Sequence, residues 1–294
     1  MIAQKFRVVV VAILLMVGVV GCSSKNETTT QTKIIVVDLY PVEFLTKAIT
    51  GGKFTVMNVI PYGVEPHAVE LSLEVRKIIE EGGGFIRVGA GLDSWANKIA
   101  KPDTLDLSRV VSLRQNNGVI DPHYWSDCDN LKKMVTAITD YIVAKDPANS
   151  SIYRANAATL MQKIGEIDRL YVSTLKGCAK NKIVVTHDAY GYLAARYHLT
   201  TLSILGIEPD EEPSLATMNK IRNIMNKEGL KVLFLEEIVS SKIPERIAQE
   251  TGAKVKVLYS LENLTEADAA NGVDLFEMMH RNLDALKDAL ACRP

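Results

Sequence analysis

Residues 150–175 read SSIYRANAATLMQKIGEIDRLYVSTL, a helical stretch of 26 residues. Tyr153, Leu160, Ile164, Ile167 and the pair Leu170-Tyr171 recur at the spacing of one helix face. A helix over this range runs about 39 Å at 1.5 Å per residue, long enough to cross between two lobes. Gly177 ends it. The alternative is a long surface helix within a single domain, and the choice rests on what flanks the stretch.

Both flanks alternate strand and helix. Upstream, Ile34 to Val37 is a β-branched run, followed by a helix over Val42 to Ile49, Gly51-Gly52, and a second apolar run from Phe54 to Ile60. Ser72 to Ile79 reads as a helix closed by Gly82-Gly83-Gly84, and Phe85 to Val88 as a strand. Leu131 to Ala144 is helical. Downstream come a strand at Ile183 to Val185, a helix over Ala189 to Tyr197 and a helix over Ser214 to Asn226. Strands at Val232 to Leu235 and Val255 to Leu258 enclose a helix over Lys242 to Thr251, and a last helix spans Asp274 to Leu290. This is the pattern of mostly parallel sheets covered by helices. No sequence repeats, but the architecture does: an α/β lobe over 33–147, a connecting helix over 148–177 and a second α/β lobe over 178–294.

The chain has 294 residues, 34 basic against 35 acidic, and a formal net charge of -1. Such a balance offers no electrostatic footprint for nucleic acid. Four cysteines are too few for a disulfide-built scaffold. There is no Gly-rich phosphate loop, no His-Glu-x-x-His helix and no acidic calcium loop.

The N-terminus carries an address. Lys5 and Arg7 precede an apolar run from Val8 to Val20, shorter than the roughly 20 residues a membrane-spanning helix needs. Val19-Val20-Gly21-Cys22 followed by a polar stretch resembles the bacterial lipoprotein processing site. That resemblance implies a signal peptide over 1–21, acylation of the Cys22 thiol and a flexible tether over 22–32. Removing 1–21 takes away two basic residues and no acidic one, so the net charge becomes -3. The expected location is outside the cytoplasmic membrane, lipid-anchored to its outer face or in the periplasm.

Three of the five histidines sit just past strands or in interelement loops. His67 follows the strand ending at Ile60, His123 precedes the helix beginning near Leu131, and His187 directly follows Ile183 to Val185. Ligands of open α/β sheets bind outside the carboxyl ends of strands. His67 and His123 belong to the first lobe and His187 to the second, so a site using all three closes a cleft between lobes. Neutral imidazole is the commonest zinc ligand, and three leave one tetrahedral position to fill. His198 and His280 read as surface or packing residues.

The words around these histidines carry more than their spacing. Gly63-Val64-Glu65-Pro66-His67 with Glu70-Leu71-Ser72, Asp121-Pro122-His123-Tyr124-Trp125, and Thr186-His187-Asp188-Ala189-Tyr190-Gly191-Tyr192-Leu193 resemble the zinc- and manganese-specific solute-binding proteins of ABC importers. Gly89 to Trp95, Pro209 to Pro213, Phe234-Leu235-Glu236, Thr251 to Val255 and Met278 to Leu283 extend the resemblance over roughly 33–290. It implies two Rossmann-like α/β lobes joined by one long rigid helix, a metal in the interlobe cleft, and His67, His123 and His187 on the first three ligand positions. It also implies a permease as partner, no enzymatic activity and a monomeric receptor.

The fourth position is open. Many manganese-associated relatives place an aspartate after the strand read here as Val255 to Leu258, where this chain has Tyr259-Ser260-Leu261, so Ser260 falls in that place. Glu65, Glu236, Glu262 or water are the other candidates. Three nitrogens without an obvious carboxylate favour Zn2+ over Mn2+, which prefers more oxygens. Ser112 to Ile120 lacks the His- and acid-rich insertion of many zinc receptors, so no auxiliary site is expected there. A Mn2+ receptor and a three-histidine zinc hydrolase with Glu65 or Glu236 as base are the alternatives. Burial discriminates the last, because an enzyme leaves a pocket for substrate. An oxidising compartment permits a bridge between Cys178 and Cys292, while Cys128 is expected to cap the helix start as a thiol.

Overall fold

A computed structural model describes residues 33–116, 118–207, 214–238 and 242–293. The signal peptide, the tether, Cys22 and the Pro209 to Pro213 motif lie outside the described residues.

The first half builds β1 (Ile34–Val37), α1 (Tyr40–Thr50), β2 (Thr55–Asn58), α2 (Leu73–Glu81), β3 (Gly84–Arg87) and β4 (Leu105–Asp106). These four strands form one parallel sheet in the order β2-β1-β3-β4. A short antiparallel hairpin follows, β5 (Arg114–Asn116) with β6 (Val119–Asp121), and then α3 (Cys128–Lys145) and α4 (Ser150–Leu175). The second half builds β7 (Lys182–Val185), α5 (Gly191–Arg196), β8 (Thr200–Ser203), α6 (Leu215–Glu228), β9 (Val232–Leu235), α7 (Lys242–Thr251) and β10 (Lys254–Val257). Helices α8 (Glu266–Ala270) and α9 (Leu275–Ala289) end the chain. The second sheet is also all parallel, in the order β10-β9-β7-β8. Counted from each lobe's first strand, both sheets follow the same path: second, first, third, fourth. The expected repeat of architecture is present, and in both lobes the first strand sits at the reversal of strand order, where α/β sheets bind ligands.

Helix α4 bridges the two lobes. Its buried residues are Tyr153, Ala157, Leu160, Ile164, Ile167, Tyr171 and Leu175, spaced three or four apart so that one stripe faces the core. Near its start the Tyr153 ring lies 6.2 Å from that of Phe54, and Asn156 Nδ2 donates to the Ile49 carbonyl. Near its end Tyr171 donates to the Met279 carbonyl at 2.5 Å and stacks on Tyr197. One end therefore packs on each half of the chain. Leu170, read from sequence as part of the stripe, is 40% exposed while its neighbour Tyr171 is buried, and Ala157 and Leu175 complete the stripe. Among the described residues no helix is long and apolar enough to cross a membrane.

One further expectation is corrected. Asp127, not Cys128, caps α3: its side chain accepts from the Asp129 N–H, and Cys128 is the first helical residue, buried with Sγ 3.3 Å from Tyr197 Oη. Within Ser112 to Ile120, Arg114–Asn116 and Val119–Ile120 belong to the β5–β6 hairpin. The bridge that the sequence permitted is formed, joining Cys178 to Cys292.

Candidate metal centre

Three loops and one strand exit converge. After β2, Glu65 caps the short turn Pro66–Ala68 by accepting from the His67 N–H, which fixes the backbone that carries the His67 ring. After β6, Asp121 Oδ1 accepts from both the His123 N–H (3.0 Å) and His123 Nδ1 (2.8 Å). A carboxylate bonding the backbone two residues on is the Asx pattern of turns. Because Asp121 takes the proton on Nδ1, His123 Nε2 carries the lone pair, and that nitrogen faces the centre. After β7, His187 Nε2 lies 2.6 Å from the Ile207 carbonyl and Nδ1 lies 3.0 Å from Glu236 Oε1.

Beyond β10 the chain reaches its fourth donor. Leu261 adopts φ 67°, a left-handed conformation uncommon for a residue with a Cβ, and the turn brings the Glu262 side chain inward. This segment is tied to the first lobe. Asn263 Nδ2 donates to the Pro61 and Val64 carbonyls, Gly63 N–H donates to the Leu264 carbonyl, and Trp125 Nε1 donates to the Ser260 carbonyl. The His67 loop and the Glu262 loop are thus held against each other across the lobes.

The result is one group of donors: an atom each from His67, His123, His187 and Glu262, all within 4.8 Å of one another. His123 and His187 are fully buried, Glu262 is 2% exposed, and the His67 side chain is equally hidden. His67 Nε2 and His123 Nε2 are 3.2 Å apart, and Glu262 Oε1 is 3.2 Å from His123 Nε2. Two donors on one tetrahedral zinc with bonds of 2.0–2.1 Å stand about 3.3 Å apart. Glu262 Oε1, Glu236 Oε1 and His187 Nδ1 are buried without a hydrogen-bond partner. With its proton on Nδ1, His123 also presents a lone pair to a carboxylate oxygen. Acceptors facing each other in a buried space are costly unless a cation stands among them.

Without a metal ion, a proton on His187 supplies positive charge among these carboxylates. Burial alone pulls the His187 pKa down, but Glu236 and then Glu262 push it up to about 10. Burial raises Glu262, yet His123, His67 and His187 hold its carboxyl at about 2. Glu65 is pushed up to about 7 by burial and by Glu262.

Of the sequence candidates, the structure brings His67, His123, His187 and Glu262 together and leaves Glu65, Glu236 and Ser260 outside the four. Glu236 backs the His187 ring, Glu65 caps the turn under His67, and Ser260 offers its carbonyl to Trp125. His198 and His280 take no part, and no second group of metal-ligating side chains occurs among the described residues. The sequence reading missed Asp121 as the orienter of His123, although Asp-x-His in a loop is the signal that reveals it.

Comparison with known proteins places this geometry. The family model for the zinc-uptake complex component A, periplasmic, matches residues 35–289. The high-affinity zinc uptake system protein ZnuA of Bacillus subtilis is 32% identical over 279 residues, 87% of each chain. The zinc-binding lipoprotein AdcA of Streptococcus pneumoniae is 28% identical over 291 residues, 91% of this chain but 58% of that protein, so this chain spans a little over half of it. The crystal structure of the Zn(II)-bound ZnuA-like domain of Streptococcus pneumoniae AdcA matches with a TM-score of 0.78 at 30% identity, over 88% of this chain and 99% of that one. With fold, order of motifs and family match in agreement, the chain belongs to the ZnuA family of zinc-uptake components.

Proposed function

We propose that the chain is an extracytoplasmic receptor that captures one Zn2+ ion between its two lobes and delivers it to the permease of an ABC importer, without chemistry of its own. The observation that carries this reading is the buried group of three imidazoles and one carboxylate drawn from both halves of the chain. His67 and His123 come from the lobe over 33–147, His187 and Glu262 from the lobe over 178–294, with 148–177 connecting them. An ion ligated from both sides stabilises the closed arrangement of the lobes, and that closed arrangement is what a permease reads.

Three neutral nitrogens and one oxygen fill a zinc tetrahedron, whereas Mn2+ prefers more oxygen ligands. Where the sequence showed no obvious carboxylate, Glu262 supplies a single one beside the three nitrogens. With four protein donors no ligand position stays open for a substrate or an activated water, which supports a receptor over a hydrolase. The names of the relatives, a zinc uptake protein and a zinc-binding lipoprotein, support the same ion and lipid anchoring through Cys22.

The test is metal content after offering the metal-free protein equimolar zinc and manganese. One zinc per chain is expected, with binding strongly weakened in His67→Ala, His123→Ala and His187→Ala. Manganese winning overturns the choice of ion. Zinc kept by all three variants overturns the site.

A further inference from the structure

The β5–β6 hairpin belongs to the first lobe by sequence, yet its polar contacts reach into the second. The Tyr192 hydroxyl, on α5, accepts from the Arg114 N–H at 2.7 Å and donates to the Asp121 carbonyl at 2.9 Å. Arg114 and Asp121 are the paired residues at the base of the hairpin, so a side chain of the other lobe completes the ladder there. The Arg114 guanidinium lies 5.5 Å from the centre of the Tyr192 ring. Farther along, Asn116 Nδ2 donates to Asp188 Oδ2 at 2.5 Å. Gly191 makes the approach feasible: a Cβ there lies 2.7 Å from Asp121 Oδ2.

What these contacts join matters more than their number. Asp121 is the carboxylate that orients His123, and Asp188 is the residue after His187. The hairpin therefore runs from the support of one metal-ligand candidate to the neighbour of another on the opposite lobe. The loops bearing the two rings cannot part while Tyr192 and Asn116 keep their partners. Neither side chain belongs to the donor group, so neither contributes to recognising the ion.

We propose that Tyr192 and Asn116 are positioning residues that strap the cleft shut and set how fast the metal leaves. The proposal rests on the reading of His67, His123, His187 and Glu262 as the zinc site. Losing one such hydrogen bond speeds opening by about five- to tenfold, because a net hydrogen bond is worth about a factor of that size. The association rate stays at its parental value, because the donors themselves are untouched.

The experiment is a chase of the zinc-loaded protein with an excess of a chromophoric chelator, on the parent, Tyr192→Phe, Asn116→Ala and the double variant. Asn116→Ala, which loses one hydrogen bond, is expected to release zinc about five- to tenfold faster, Tyr192→Phe, which loses two, faster still, and the double variant fastest. One zinc per chain, an unchanged association rate and an unchanged unfolding temperature of the metal-free protein accompany this result. Release at the parental rate overturns the strap while leaving the receptor reading intact. So does a loss of affinity that appears wholly in the association rate. A parent that takes up no zinc overturns the receptor reading and the strap with it.

Discussion

Replacing Glu262 by Gln removes one charge and almost no volume from a site 2% exposed to solvent. The carboxylate lies 3.2 Å from His123 Nε2 and 3.8 Å from His67 Nε2, and it is the single oxygen in the donor group. Taking one member from a buried set of opposite charges costs about 3–5 kcal/mol, because the remaining charge keeps its desolvation penalty. At 1.36 kcal/mol per power of ten, zinc affinity is expected to fall by at least a hundredfold. Glu236→Gln acts through the orientation of His187 and is expected to cost about ten- to a hundredfold, as for other groups that hold a ligand ring. Ser260→Ala is the internal control: it leaves the Ser260 carbonyl bonded to Trp125 and is expected to change affinity by less than about threefold. Zinc titrations against a chelator of known affinity read all three, with circular dichroism melts of the metal-free variants showing that each is folded. Parental affinity in Glu262→Gln, or an equal loss in Ser260→Ala, refutes the assignment of the fourth donor.

Other consequences are open to direct measurement. The Tyr153 hydroxyl, the Asn149 amide and the Lys33 ammonium lower the Asp146 carboxyl from 3.8 to about 2. A carboxyl lowered on folding contributes stability above its unfolded value and loses it as pH falls through the folded one. Asp146→Asn is therefore expected to flatten the decline of chemical-denaturation stability between about pH 4 and pH 2; a slope equal to the parent's refutes this. Ile164, fully buried on α4, is expected to cost about 3 kcal/mol when cut to Ala, and a calorimetric melt falling by less than about 3 °C contradicts its place in the core. In a chain beginning at Ser23, Cys178 and Cys292 are bridged and burial pushes the Cys128 thiol up to about 11. Such a chain is expected to show no reactive thiol when native and one after unfolding without reductant; three thiols on unfolding disprove the bridge.

The long helix was legible because its buried residues, Tyr153 to Leu175, keep a spacing of three and four over about six turns, a pattern that needs no tertiary information. Leu170 was wrongly included where two large apolar residues stand side by side: only one of them fits the stripe, and Tyr171 takes it with a hydrogen bond to Met279, while Ala157 and Leu175 were passed over. The strands with three or four apolar β-branched residues were legible for the same reason. Strand β8, Thr200-Thr201-Leu202-Ser203, was missed because it is a partly exposed edge strand with a polar sequence. The two-residue β4, the three-residue strands of the hairpin and the five-residue α8 are too short for any periodicity.

At the site, the three histidines stood out because each lies in a loop between elements. Glu262 did not, because its place depends on the left-handed turn at Leu261, a conformation sequence gives little reason to expect outside glycine. Counting straight on from the strand end stops at Ser260, two residues early. The acceptors that flank His187, the Ile207 carbonyl and the Glu236 carboxylate, come together only through the β7–β9 pairing and the loop beyond β8, contacts distant in sequence.

The most direct test of the account is the zinc absorption edge and anomalous scattering of the zinc-loaded protein. One ion per chain is expected, bound by three imidazole nitrogens and one carboxylate oxygen at about 2.0–2.2 Å, at the centre of His67, His123, His187 and Glu262. A sulfur in the coordination sphere, fewer than three imidazoles, or an ion bound elsewhere on the chain contradicts it.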